Sequence, residues 1–102
     1  MFFYNFASDM DNVRLAGRLE AAIEKYDKAV ALRRNACFGE AVNAFSEASA
    51  IAGAAIGAIR ESGCNADEDM IKALLDICSR AEASIGLIRE ITGFVNTDLM
   101  NP

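Results

Sequence analysis

The sequence predicts an all-α fold, an antiparallel three-helix bundle, and three observations predict it. Apolar residues recur at three- and four-residue steps through three long segments. The two breaks between the segments are short, so consecutive helices must pack antiparallel. The composition holds 1 Pro and 7 Gly, with alanine the commonest residue, which favours helix and disfavours a β-sandwich or barrel. With 102 residues, 53% hydrophobic and 25% charged, the chain reads as one domain with one modest core and not as a disordered segment.

The first helix is expected to open at Ser8, with Asp11 three residues on as a capping-box-like partner. Residues 1–7 read as a flexible arm ahead of it. Val13, Ala16, Leu19, Ile23, Tyr26 and Val30 form its apolar stripe. Arg33 and Arg34 fall in the last turn, where cations complement the helix dipole. The break runs from Asn35 to Gly39. The second helix carries Val42, Phe45, Ala48, Ile51, Ala52, Ala55, Ile56 and Ile59, and ends at Arg60-Glu61-Ser62-Gly63, where glycine suits the residue after a helix. It is small or apolar almost all round, which places it between its neighbours. Asn65 caps the third helix, with Glu68 as its capping-box partner. The third stripe is Met70, Ile71, Leu74, Ile77, Cys78, Ala81, Ile85, Ile88 and Ile91, and Gly93 ends it. The bundle therefore spans residues 8–95, with 96–102 as a tail.

The chain has no histidine. A Ser-His-Asp triad, a Cys-His nucleophile and a His-ligated zinc site are thereby excluded. Phosphate-loop, dinucleotide and nucleophile-elbow motifs are missing too, so the chain reads as non-enzymatic, with no cofactor, no metal and no catalytic residue. A net charge of −5 disfavours nucleic acid and anionic membrane as direct partners. Cys37, Cys64 and Cys78 are odd in number and widely spaced, as for reduced, partly buried thiols in an intracellular protein. Cys37, one turn after Arg33 and Arg34, has redox sensing as its alternative reading. The longest uncharged run, Ala48 to Ile59, falls short of the ~17–25 residues that span a bilayer, and the apolar start lacks the basic flank of a signal peptide.

Asp67, Glu68 and Asp69 read as capping and dipole complement at a helix start, against a metal or acid/base site. Gly53 and Gly57, in Gly-x-x-x-Gly spacing, read as a step that lets helices approach closely. Small residues on the second helix, with Cys78, Ala81, Ala83 and Ser84 on the third, are expected to leave a shallow groove. Such a groove suits an amphipathic helix from a partner or a second copy of the chain.

The run Phe38-Gly39-Glu40-Ala41-Val42-Asn43-Ala44-Phe45-Ser46-Glu47-Ala48 resembles the turn and second helix of both tetratricopeptide repeats and MIT (microtubule-interacting and trafficking) domains. Two further stretches are more similar to MIT. Leu19 to Val30 looks like its first helix, and Ile77-Cys78-Ser79-Arg80-Ala81-Glu82 resembles the Arg-Ala-Glu signature of its third. A tetratricopeptide array would restart its pattern in the third helix and needs at least three repeats. The resemblance covers about Val13 to Ile91. It implies a cytoplasmic, endosome-associated adaptor that binds C-terminal motif peptides of ESCRT-III-type subunits and reaches membranes only through those partners. In that family one motif class docks as a helix between the second and third helices, which by position assigns Leu75, Cys78, Ser79 and Glu82 to peptide binding. Another docks as an extended strand between the first and third, which assigns Tyr26. The chain departs from the family pattern at Cys78 and Ser84, where leucines are usual, and at Tyr26, which replaces an aliphatic residue. The alternative is a tetratricopeptide-like scaffold or homodimerisation module.

Overall fold

The computed structural model of the chain describes the backbone of residues 2–62 and 67–100, and the side chains of residues 13–61 and 67–92. The fold is the expected all-α three-helix bundle, with α1 at Phe2–Arg34, α2 at Phe38–Ser62 and α3 at Glu68–Met100. α2 packs along both neighbours, while α1 and α3 meet over a shorter stretch. Leu15 and Ala22 of α1 cluster with Ala48, Ala52 and Ala55 of α2, whereas Ala29 clusters with Ala41, Ala44 and Phe45. Rising numbers on α1 therefore meet falling numbers on α2, the mark of an antiparallel pair.

The seam repeats every seven residues. Leu15, Ala22 and Ala29 on α1, Ala41, Ala48 and Ala55 on α2, and Leu74, Ala81 and Ile88 on α3 are all buried. A second set interleaves with them at the three- and four-residue steps of a coiled-coil heptad: Phe45 and Ala52 on α2, Ile77 and Ser84 on α3. Most of these residues are alanine, so the helices meet through methyl groups, and only Phe45, Leu74 and Ile88 are large side chains under full cover.

This seam corrects the stripe expected on α1. Leu19, Tyr26 and Val30 do pack on the core. Val13 is 71% exposed, Ile23 is 42% exposed, and Ala16 is on the surface. The expected stripe followed bulky residues; close helix approach selects small ones. On α3, Ile88 packs with Phe38 and Ala41 at the start of α2. Ile91, one turn further on, is 44% exposed.

Helix boundaries also differ from expectation. α1 starts at Phe2, so Ser8 is an interior residue and not a cap. α3 continues through Gly93 to Met100, because one glycine costs a helix only about 1 kcal/mol. Asn65 and Gly63 lie outside the described residues. The observed cap of α3 is Asp67, whose Oδ1 accepts the Asp69 amide at 2.9 Å. α1 and α3 each have 33 residues against 25 in α2. A 33-residue helix is about 50 Å long. The molecule measures 70 × 22 × 16 Å, so α1 and α3 overhang α2 at opposite ends.

The α1–α2 corner is tighter than the expected break. The Cys37 amide donates to the Leu32 carbonyl at 2.9 Å and the Ala36 amide to the Arg33 carbonyl at 3.0 Å. These are the paired bonds of a Schellman ending, and they require a left-handed residue at Ala36, which has φ 61°. Glycine is the usual occupant of that place. Gly39, expected to make the break, lies inside α2.

Candidate functional site

Leu75, Cys78, Ser79 and Glu82 lie at i, i+3, i+4 and i+7 on α3 and so share one face. Leu75 is 46% exposed, and Ser79 and Glu82 are exposed. Cys78 is half-buried at the inner edge of this strip. Its thiol donates to the Ser49 carbonyl of α2 at 3.6 Å, which fixes the strip beside α2. Tyr26 sits elsewhere. Its ring meets Phe45 edge-on, 5.5 Å between centroids at 68°, and packs on both core clusters. Arg80 of α3 is held above its ordinary pKa first by the hydrogen bond and charge of Asp76, with the Tyr26 side chain adding to both effects. The structure thus sets four of the five sequence-assigned residues on one face of α3 and holds Tyr26 apart from them, against Phe45 of α2.

The expected small-residue groove is corrected in part. Ala81 is fully buried and Ser84 is 8% exposed, so both belong to the seam and do not line a surface groove. Gly53 and Gly57 do not mediate helix contact either. A Cβ added at either would meet nothing within 4 Å. Ala48, Ala52 and Ala55 perform the close approach instead.

Arg33 is the residue whose role the sequence did not reveal. Its place in the last turn of α1 predicts only a complement to the helix dipole. Its guanidinium lies over the Phe45 ring, 5.6 Å from the centroid, and Nη1 donates to Ser84 Oγ at 3.2 Å. One side chain thus joins all three helices and satisfies a buried hydroxyl. The arginine is committed to this contact, and Cys37, expected to be partly buried, is exposed. Cys64 lies outside the described residues.

Asp67, Glu68 and Asp69 surround the start of α3, and among the described residues no group of His, Cys, Asp or Glu side chains is arranged to hold a metal ion. A shallow open depression of about 210 Å³ lies between α1 and α2, lined by Lys28, Leu32, Glu40, Asn43, Ala44 and Glu47. Ligand pockets run to ~300–1,000 Å³ and are mostly apolar, so this charged dent is no small-molecule site. Lys25 bridges to Glu47 at its rim at 2.9 Å. The hydrogen bond and charge of Lys25 hold the Glu47 carboxyl below the usual carboxylate range. By length and composition alone, Phe38–Glu61 is the one stretch among the described residues that is apolar enough to cross a membrane. It is also the helix on which both others pack.

No known family, curated protein or solved structure matches the chain.

Proposed function

We propose that the chain is a non-catalytic adaptor of MIT type, and that a short C-terminal peptide of an ESCRT-III-type partner docks beside α3. The observation that carries this reading is the strip of Leu75, Ser79 and Glu82, exposed at helical spacing and backed by Cys78 against α2. An apolar anchor point at Leu75 and a carboxylate two turns on at Glu82 suit an amphipathic helix with one basic residue. The charge sets register and on-rate more than affinity. The order of the three sequence stretches similar to MIT supports the same reading.

An amide chemical-shift titration tests it, with one helical ESCRT-III-type tail peptide and one extended, proline-containing peptide. Saturable shifts around Leu75, Ser79 and Glu82, lost in Leu75→Asp and reduced in Glu82→Lys, are expected for the helical peptide. Both residues are exposed, so the variants keep the fold. Cys78→Asp is less informative, because it would set a carboxylate against the Ser49 carbonyl. Absence of shifts with either peptide at millimolar concentration would overturn the adaptor reading.

A further inference from the structure

We propose that the α1–α2 corner is a strained hinge through which α1 exchanges between two copies of the chain, forming a domain-swapped dimer. The strain is local and visible. Ala36 holds φ 61°, a left-handed conformation that its Cβ disfavours and glycine would not. The corner is closed by the Cys37–Leu32 and Ala36–Arg33 backbone bonds and by the Cys37 thiol on the Asn35 carbonyl, all of them local. Asn35, Ala36 and Cys37 include neither glycine nor proline, and alanine is the best helix former. Straightening would merge α1 and α2 into one helix, return Ala36 to a right-handed φ, and give the corner amides ordinary helical partners.

The seam itself would be unchanged. Tyr26 would again meet Phe45, Lys25 would reach Glu47, and Arg33 would reach Phe45 and Ser84, each across two chains. Exchange of identical elements costs little beyond association, and a short hinge under strain promotes it. The overhang of α3 gains from the same change. Ile91 follows Ile77 and Ser84 at the seven-residue step, so it continues the seam, yet it is 44% exposed. A merged helix in line with α2 runs past the corner and covers it. This inference is independent of peptide docking on α3.

The experiment uses the whole chain, unfolded and refolded as a mixture of ¹³C-labelled and unlabelled copies at millimolar concentration. Light scattering on the separated species gives the dimerisation constant. An isotope-filtered nuclear Overhauser measurement on the dimer then asks whether Tyr26 and Phe45 meet between chains. The expected result is a dimer with an interchain Tyr26–Phe45 contact. Ala36→Gly should weaken dimerisation about tenfold or more, since two corners lose their strain. Ala36→Val should strengthen it by a similar factor. A wild-type chain that stays monomeric at millimolar concentration overturns the proposal. So does a dimer whose Tyr26–Phe45 contact stays within one chain, or an Ala36→Gly constant equal to wild type. Ala36→Gly relieves strain and therefore folds, so the comparison holds even if the valine variant does not.

Discussion

Three residues govern how firmly the helices are held. Phe45 is fully buried, with Tyr26 on its edge and Arg33 over its face. Phe45→Ala should therefore destabilise the chain by about 3–5 kcal/mol, read from denaturant unfolding. Arg33→Ala should cost about 2 kcal/mol, because a cation–π contact goes and the Ser84 hydroxyl is left buried without its donor. Adding Ser84→Ala should recover part of that loss, and a double-mutant cycle in which the two costs simply add would show no coupling. Ala36→Gly should stabilise the monomer by about 1 kcal/mol, since relief of left-handed strain exceeds the added flexibility of the unfolded chain. Phe45 was legible in the sequence as a core aromatic. Arg33 was legible only as a dipole partner, since its ring contact depends on where α2 and α3 bring Phe45 and Ser84. Ala36 carried no signal, because nothing marks an alanine as left-handed before the corner is closed.

At the scale of elements, helix number, order and direction could be read from the apolar steps and the short breaks. On α2 and α3 the expected stripes largely coincide with the seam, since Phe45, Ala48, Ala52, Leu74, Ile77 and Ile88 were all in them. α1 could not be read as well. Val13 and Ile23 lie off the seam of Leu15, Ala22 and Ala29, and hydrophobicity ranks valine and isoleucine above alanine. The face strip on α3 was legible as far as helical spacing allows, but whether Cys78 lies in or beside the seam depends on the placement of Ser49. The glycines of α2 give a test at this scale. Gly53 and Gly57 face open space within a helix, so Gly53→Ala and Gly57→Ala should each raise stability by about 0.5–1 kcal/mol. Thermal melting decides: a falling melting temperature would mean that these positions do contact another helix.

As a whole the molecule is a rod 70 Å long and 22 by 16 Å across, one thin layer of core along its axis. A chain this small buries a limited share of its surface, and alanine adds little apolar area per residue. Surface ion pairs therefore modulate stability without dominating it. Glu47 gives this a pH signature. Its carboxyl is held below the ordinary 4.5 by Lys25. The native state thus favours the charged form, and the pair's contribution is complete above the unfolded value and lost as pH falls through the lower folded one. Glu47→Gln should lower stability slightly in the neutral region and leave it unchanged at low pH, which flattens the acid limb of the profile. An acid limb identical to wild type would show that the pair is not formed in solution.

The alanine seam also bears on uniqueness. A slide of α1 by one heptad, about 10 Å, would again set alanine against alanine. Methyl against methyl discriminates poorly between the two alignments. What distinguishes them is the notch formed by Phe45 between Tyr26 and Arg33, with Lys25 and Glu47 beside it. Along α1 the bundle is a ladder of similar rungs, with Leu15 and this notch as its detents. Loss of Phe45 should therefore do more than lower the melting point: it should let the chain populate shifted alignments, seen as more than one set of amide resonances for α1.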